Sequence, residues 1–312
     1  MKFFLAPMQG LTGYTVRNAF HHHFDYIDKY YTPFIPAAKR MNAKIKRDID
    51  PLNNDGITLI PQAMSIVADE VIDLHRQLVP YGYDEINVNL GCPSGTVVSK
   101  KRGSGILAYP DMLDRFLDEL YTKADFPVSI KTRVGFNDDE LWPRLIEIYS
   151  KYPISELTVH PRVQKDFYKN TPRMDDFALA MQKINPDKTI LCYNGDITDT
   201  NSFNALTDCF PDIDEIMIGR GLFANPALIA ELKGISMDKA ELRERLKNWH
   251  DEILSGYLSI FSGEKDAMFR MKEIWAYMHE LFSDSEKLWK KIKKCQTLND
   301  YKSIVRMAFD AF

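Results

Sequence analysis

The stretch EINVNLGCPSGTVVSKKRGSG, residues 85–105, carries the strongest structural signal in the sequence. Residues 85–90 alternate polar and apolar side chains, which predicts a β-strand, and Gly91-Cys92-Pro93 follows as a turn. Gly91 permits backbone angles that other residues avoid, and Pro93 favours an extended conformation at Cys92. A free cysteine is most often a small buried apolar residue, but these neighbours predict that the Cys92 thiol is presented beyond the strand end.

The same pattern of a short apolar strand, a polar turn and a helical segment recurs along the chain. The eight predicted strands are Lys2–Ala6, Ile27–Tyr31, Thr58–Gln62, Glu85–Asn89, Val128–Thr132, Glu156–His160, Thr189–Tyr193 and Glu215–Ile218. The predicted helices include Ala68–Leu78, Asp111–Tyr121, Asp139–Tyr152, Met174–Lys183, Thr200–Asp208 and a last one within 221–230. Eight such units over about 230 residues predict an α/β fold, the (β/α)8 TIM barrel. A doubly wound sheet is disfavoured because its Gly-x-Gly-x-x-Gly turn is missing.

The barrel domain is predicted to span residues 1–235, and residues 236–312 are predicted to form a small C-terminal helical bundle domain. Strand signals are absent from this second part, whose amphipathic segments are Leu242–Tyr257, Ala267–Leu281, Ser285–Lys294 and Leu298–Phe309. Five lysines lie close together between residues 287 and 294. Such a run is usually a solvated helix face, and this interpretation stands beside that of a binding surface.

Polar and turn-forming residues mark the ends of seven of the predicted strands. They are Pro7-Met8-Gln9, Gln62, Asn89 with Cys92, Lys131 with Arg133, His160 with Arg162, Asn194-Gly195-Asp196 and Gly219-Arg220. In a barrel the carboxyl ends of all strands meet at one face, where the loops carry the reactive groups. Any one of these residues, such as Lys131 or His160 alone, could be an ordinary loop residue. Their coincidence at seven strand ends predicts an active site.

Composition excludes several classes of protein. The 312 residues are 45% hydrophobic, which allows a large buried core. The four cysteines are far apart, so neither a disulfide framework nor a zinc site is indicated, and His21-His22-His23 would diverge on a helix. A net charge of −4 gives no global footprint for nucleic acid. Signal-peptide and membrane-span patterns are absent, so we expect a cytoplasmic protein without membrane contact.

The segment Asn87-Val88-Asn89-Leu90-Gly91-Cys92-Pro93, with Val97 and Gly103-Ser104-Gly105-Ile106-Leu107, resembles the signature of the FMN-dependent tRNA-dihydrouridine synthases. These flavoenzymes reduce a uracil ring in RNA. The resemblance extends over the whole chain, including the helical C-terminal part. One position departs from the family pattern, because Pro161 stands between His160 and Arg162 where most members have glycine.

The resemblance implies which residues contact the cofactor. The FMN-contacting residues would be Pro7, Met8, Gln9, Gln62, Lys131 and His160, with Asn194, Gly195, Asp196, Gly219 and Arg220 in two turns that hold its phosphate. Physical reasoning supports this, because loops after strands seven and eight of barrels often bind phosphate. A buried lysine at position 131 would stabilise negative charge on reduced flavin. NADPH is the electron donor that the family implies.

Reduction of uracil needs a hydride at one carbon and a proton at its neighbour. A thiol is mostly protonated at neutral pH, so Cys92 is the expected general acid, as it is in the family. We expect Asn89 to bond the polar edge of the uracil, and Arg133 and Arg162 to hold phosphate or base. The resemblance implies that the tail binds tRNA, through Arg270, Lys272, Lys290, Lys291 and Lys294. A monomer is expected.

Three alternatives remain open on the sequence. The first is an FMN barrel oxidoreductase that acts on a free small molecule, such as a dihydroorotate-type or ene reductase. The helical tail and the Asn-x-Asn-x-Gly-Cys-Pro run speak against a small-molecule substrate. The second is the same chemistry on ribosomal RNA. The third is an RNA-binding protein that has kept the barrel and lost catalysis, which the intact Cys92 and Lys131 disfavour.

Overall fold

The computed structural model describes residues 1–38 and 40–312, in which ten parallel strand segments form one sheet. They are β1 (Lys2–Leu5), β2 (Lys29–Tyr31), β3 (Ile35–Pro36), β4 (Leu59–Ile60), β5 (Gln62–Met64), β6 (Ile86–Leu90), β7 (Val128–Gly135), β8 (Glu156–Val163), β9 (Ile190–Tyr193) and β10 (Glu215–Ile218). Every predicted strand is present. β7 and β8 run beyond their predicted ends, so Arg133 and Arg162 also lie within strands.

The sheet closes through a strand that is interrupted once. β4 and β5 are separated only by Pro61, which has no N–H to donate to a neighbour. β4 pairs with β2 on one side, and β5 pairs with β6 on the other. Because β1 pairs with both β10 and β2, the ladder returns to its start. The predicted TIM barrel is confirmed, with eight strand positions.

Fourteen α-helices surround and follow the barrel in the part of the chain that the structure describes. They are α1 (Tyr14–His23), α2 (Ala43–Ile49), α3 (Ala68–Leu78), α4 (Gly95–Val98), α5 (Pro110–Lys123), α6 (Trp142–Tyr149), α7 (Met174–Lys183), α8 (Thr200–Cys209), α9 (Arg220–Ala224), α10 (Leu228–Leu232), α11 (Lys239–Ile260), α12 (Glu264–Met278), α13 (Ser285–Lys294) and α14 (Leu298–Asp310).

Two helix predictions were wrong in detail. The single helix predicted within residues 221–230 is two short helices, because Pro226 disfavours helical geometry at Asn225. The helix predicted from Asp139 begins at Trp142, and the carbonyl of Asp139 instead accepts the Trp142 N–H at 2.8 Å in the preceding turn. Neither error changes the order of strands and helices.

Buried side chains form two separate apolar clusters. The larger one lies between strands and helices, and the smaller one fills the barrel with Phe4, Ala6, Tyr31, Ile60, Cys192 and Met217. Next to this inner cluster, the Glu156 carboxylate accepts from Lys29 Nζ at 2.7 Å and from the Tyr31 hydroxyl at 2.6 Å. The barrel interior is therefore a packed core rather than a channel.

The C-terminal helices pack against one side of the barrel. α11 lies on α1, where the rings of Phe20 and Trp249 are 5.1 Å apart at a steep angle. α12 lies beside α9, where the Phe223 and Tyr277 rings are 6.2 Å apart. These contacts place the helical tail next to the strand ends of β1 and β10. The division of the chain at residue 235 stays a prediction.

None of the described helices combines the length and apolar character that crossing a membrane requires.

A fully buried arginine joins α1 to the loops around it. Arg17 is 0% exposed, and its guanidinium donates to the carbonyls of Thr12 at 2.7 Å and Asp48 at 2.6 Å. It also bonds Asn54 Oδ1 at 2.8 and 3.1 Å and lies 3.3 Å from the Asp48 carboxylate. All of these acceptors would lose a partner together if Arg17 were removed.

We predict that Arg17→Met lowers the free energy of unfolding by about 3–5 kcal/mol, since it leaves buried acceptors without donors. The control is Arg76→Met, because Arg76 is exposed and, among the described residues, its ion pair is with Asp73 one turn away, which is worth about 0–1 kcal/mol. Urea unfolding of both variants measures the difference. A similar small loss in both would show that the Arg17 contacts contribute little.

Candidate active site

A cavity of about 320 Å³ opens at the carboxyl ends of the strands. This volume lies in the range of small-molecule sites, about 300–1,000 Å³. Its walls include all the residues predicted to contact a cofactor, which are Pro7, Met8, Gln9, Gln62, Lys131, His160, Asn194, Gly195, Asp196, Gly219 and Arg220. Cys92, Asn89 and Arg133 line it as well, whereas Arg162 does not. The structure thus brings residues from seven strand ends to one place.

The loop that carries Cys92 is held by two sets of hydrogen bonds. The side-chain oxygen of Asn89 accepts from the amides of Gly91 at 3.1 Å and Cys92 at 2.9 Å. The carbonyl of Cys92 accepts from the Ser104 amide at 3.1 Å and the Ser104 hydroxyl at 2.8 Å. Both ends of the Cys92 peptide are fixed, so the half-buried thiol has a defined position at the cavity.

Burial raises the pKa of the Cys92 thiol above its usual value, because a thiolate is poorly solvated there. The Ser94 amide and the cations of Arg133 and Lys131 act in the opposite direction and do not outweigh burial. The thiol therefore carries its proton at neutral pH. A protonated thiol can act as a general acid and is a poor nucleophile.

A chain of amide side chains crosses the floor of the cavity. The Gln62 side chain donates to Asn87 Oδ1 at 2.8 Å and accepts from Asn89 Nδ2 at 2.8 Å. Asn87 Nδ2 in turn donates to the Ser129 hydroxyl at 3.0 Å. Each amide fixes the orientation of the next, so the polar edge of the floor is set before any ligand binds.

Lys131 projects from β7 towards the end of β9. Its ammonium donates to the Asn194 side-chain oxygen at 2.5 Å, and Asn194 Nδ2 donates to the Met217 carbonyl at 2.7 Å. Burial, together with repulsion from the neighbouring Arg133, lowers the pKa of Lys131 to about 7. An anion in the cavity would favour the charged form of this lysine. The side chain is suited to respond to a ligand whose charge changes.

A carboxylate between two arginines forms the far wall of the cavity. Asp196 accepts from both terminal nitrogens of Arg162 and, at 2.5 Å, from Arg220. Arg162 Nη1 also lies 3.1 Å from His160 Nε2. Since an arginine only donates, Nε2 accepts and the His160 proton resides on Nδ1. Burial, with repulsion from neighbouring cations, holds the pKa of His160 well below its usual range, so the ring is neutral.

In the turns after β9 and β10, two glycines lie so close to neighbouring atoms that no side chain would fit at their positions. A Cβ on Gly195 would lie 2.0 Å from the Tyr193 hydroxyl, and one on Gly221 would lie 2.1 Å from the Ile197 carbonyl oxygen. The backbone amides of Gly195, Asp196, Arg220 and Gly221 find no acceptor among the described residues. Close amides without acceptors beside an arginine can receive an anion such as a phosphate.

Two arginines that were expected to contact substrate are engaged with the protein itself. Arg133 is 2% exposed and donates to the carbonyls of Gly91 at 3.0 Å, Val163 at 2.9 Å and Phe167 at 2.9 Å. Arg162 is 1% exposed and donates to Asn170 O besides Asp196. Arg133 still lines the cavity, where it fixes the Cys92 loop through Gly91. Their substrate contacts stay predictions.

The expected tail contacts are spread over a wider surface. Arg270 lies over the Gly10 turn, where a Cβ would be 2.8 Å from its Nη1, and faces a second groove beside the cavity. Lys272 Nζ donates to the carbonyls of Lys293 at 3.2 Å and Cys295 at 2.6 Å, which caps the end of α13. The remaining three, Lys290, Lys291 and Lys294, are exposed on α13.

Two tyrosines in the cavity wall were not predicted from the sequence. Tyr168 follows Phe167, whose φ of +50° is rare for a residue other than glycine. The Arg220 guanidinium lies 4.5 Å from the centroid of the Tyr168 ring. Tyr277 reaches the cavity from α12 in the tail. Neither tyrosine lies at a strand end. The unusual Phe-Tyr pair in a polar loop is the one sequence signal that could have indicated Tyr168. No sequence signal indicates Tyr277.

Within the described residues, no group of three or more His, Cys, Asp or Glu side chains could hold a metal ion. The four cysteines are all free thiols.

Comparison with known proteins gives one family. The model of the family described as Dihydrouridine synthase (Dus) matches residues 4–311. A probable tRNA-dihydrouridine synthase from Staphylococcus aureus is 32% identical over 203 residues, which is 64% of this chain and 58% of that protein. A tRNA-dihydrouridine(16) synthase from Haemophilus influenzae is 27% identical over 324 residues, covering 97% of this chain and 98% of the other.

Among solved structures, the old yellow enzyme from Trypanosoma cruzi shares the fold. The two structures superpose with a TM-score of 0.51 at 8% identity, over 76% of this chain and 89% of the other. At this identity the likeness concerns the barrel alone.

Lys131 makes the stability of the ligand-free protein depend on pH. Its pKa is about 7 when folded, against an ordinary value of 10.5. Between these values only the unfolded chain holds the proton, so stability rises with pH by up to about 1.4 kcal/mol per unit. Lys131→Met lacks this titrating group, so its free energy of unfolding should not show this rise. Relative to the wild type, it should therefore fall by up to about 1.4 kcal/mol per pH unit between pH 7 and 9. Urea unfolding measures it, and parallel pH profiles would contradict the assignment.

Proposed function

This chain belongs to the dihydrouridine synthase family, and on that premise we propose that it reduces the C5–C6 double bond of uridines in tRNA to dihydrouridine, with FMN as its bound cofactor. The observation that carries the proposal is the position of one protonated thiol, Cys92, on the same cavity as Lys131 and the amides of two glycine turns. Hydride donor, proton donor and anion site are all needed for this reaction, and the cavity offers room and groups for each.

The residues of the cavity fit FMN. The acceptor-free amides of Gly195, Asp196, Arg220 and Gly221 would hold its phosphate, beside the Arg220 guanidinium. Asp196 does not repel an anion there, because two arginines share its charge.

The amide floor of Gln62 and the ammonium of Lys131 would face the polar edge of the ring system. Negative charge on that edge would favour protonated Lys131, whose pKa is about 7 in the ligand-free protein. FMN, when bound and reduced, supplies the hydride.

Cys92 supplies the proton in this proposal. Burial keeps the thiol protonated, and the bonds from Asn89 and Ser104 fix the peptide that presents it. For each turnover one uracil double bond gains a hydride at one carbon and a proton at the other. One NADPH is oxidised to NADP⁺, and the Cys92 thiolate regains its proton from solvent. Electrons and protons then balance.

The reactive uridine must leave its stack to reach the cavity, as base-modifying enzymes require. The helical tail, with Tyr277 in the cavity wall and Arg270 over the Gly10 turn, lies where it can hold the surrounding RNA. We assign the exposed Lys290, Lys291 and Lys294 to contacts with the RNA backbone, and residues 236–312 to a tRNA-binding unit. We also propose that the enzyme acts as a cytoplasmic monomer with NADPH as electron donor.

The role of Cys92 is tested by Cys92→Ala in a single turnover. Enzyme reduced by NADPH is mixed with tRNA transcript without oxygen, and flavin reoxidation is followed. We predict normal FMN binding, reduction and RNA binding, because none of these needs the thiol. Reoxidation should slow by about 10²–10⁴, the usual contribution of a general acid. Cys92→Ser should recover little, since a hydroxyl is a far weaker acid.

The matched control is Cys209→Ala, which removes an exposed thiol outside the cavity. It should behave as the wild type. Reoxidation of Cys92→Ala at the wild-type rate would show that the proton comes from another group.

A further inference from the structure

A basic turn follows the Cys92 loop and has no role in the chemistry described above. It consists of Ser99, Lys100, Lys101 and Arg102, directly after α4. Lys100 and Lys101 are exposed, and neither forms a salt bridge with any described residue. Arg102 differs, since it pairs with Glu70 at 3.2 Å. The turn therefore presents two uncompensated positive charges to solvent.

The basic turn is joined tightly to the peptide of Cys92. Ser104, two residues after the turn, donates its amide and its hydroxyl to the Cys92 carbonyl. Gly103 lies between Arg102 and Ser104 with a φ of +54°, and a Cβ on Gly103 would be 2.7 Å from the Cys92 carbonyl oxygen. The amide of Arg102 donates to Val97 O at 3.4 Å. A ligand held by the basic turn is thus held in a fixed relation to the thiol.

Lys101 is held in an unusual conformation. Its φ is +57°, a region that residues with side chains rarely adopt. Its ammonium lies 4.3 Å from the ring centroid of Tyr109, which is itself 44% exposed. A cation over an exposed aromatic face keeps the charge in place without neutralising it. Backbone strain of this kind is retained where the surroundings impose it, often beside functional groups.

The basic turn lies across the cavity from the helical tail. The tail packs on α1 and α9, which follow β1 and β10. From β6, which precedes the turn, β10 is four strands away in one direction and β1 three positions away in the other. In a barrel of eight positions these are opposite sides. An RNA strand that lies along the tail and crosses the cavity would therefore come to the basic turn.

We propose that Lys100 and Lys101 bind backbone phosphates of the single-stranded RNA next to the uridine in the cavity, opposite the tail. This inference rests on the proposed function and adds a second RNA contact to it. Lysine ammonium groups bind phosphates as point charges and release counterions when they do so. Contacts on both sides of the extruded nucleotide would hold the strand while its base is turned into the cavity.

The test is the salt dependence of RNA binding by the FMN-loaded protein. NADPH is left out so that no turnover occurs, and an unmodified tRNA transcript is the probe. Two phosphate contacts on single-stranded RNA contribute about 0.7 each to the slope of log K against log salt concentration. Lys100→Gln with Lys101→Gln should therefore bind more weakly at low salt and show a slope smaller by about 1.4.

A second variant separates charge from folding. Lys101→Gly removes the ammonium and also relieves the positive φ, so it should fold at least as well as the wild type. Its slope should be smaller by about 0.7, for one lost contact. The matched control is Lys183→Gln with Lys188→Gln, two exposed lysines near the opposite end of the barrel, which should leave the slope unchanged.

The outcomes separate this inference from the function on which it rests. An unchanged slope in the Lys100/Lys101 variant, with a wild type that forms dihydrouridine, overturns the inference and leaves the function standing. An equal decrease of the salt-dependence slope in the Lys183/Lys188 control also overturns the inference, because the slope would then depend on net charge and not on the position of the lysines. A wild type that forms no dihydrouridine contradicts the proposed function, and the inference falls with it.

Discussion

Closure of the parallel sheet is the constraint on which the site depends. All strands run in the same direction around the barrel, so their carboxyl ends form one rim. Lys131 and Asn194 are 63 residues apart in the chain, yet their side chains meet at 2.5 Å across that rim. Closure passes through the strand that Pro61 interrupts, with one half paired to β2 and the other to β6. A sheet left open there would separate the Gln9 and Gln62 walls of the cavity.

Burial sets the protonation states of the cavity side chains so that they suit both proton donation and anion binding, the two tasks of the proposed enzyme. It keeps the Cys92 thiol protonated and the His160 ring neutral, and it brings the pKa of Lys131 to about 7. The other positive charges of the cavity wall belong to arginines, of which Arg220 shares Asp196 with the buried Arg162. One region of the cavity can therefore donate a proton at neutral pH while another receives an anion. Both properties come from the same low solvation.

The sequence predicted the strands well because alternation and turn residues are local signals, and the strand ends then located the cavity. It could not predict what depends on distant partners. Asn89 is oriented by Gln62 from another strand, and Arg133 bonds three carbonyls that lie 30 or more residues away in the chain. Tyr277 reaches the cavity only because α12 packs beside α9. The split of the last barrel helix at Pro226 is, by contrast, a local signal that the sequence does carry.

The most direct test of the account uses tRNA from cells that lack this gene. The purified protein, loaded with FMN, is incubated with that tRNA and NADPH, and digested nucleosides are analysed by mass spectrometry. The account predicts new dihydrouridine, heavier than uridine by two hydrogen atoms, at defined positions and in an amount that matches the NADPH consumed. NADPH oxidation without any new dihydrouridine in the RNA would contradict it.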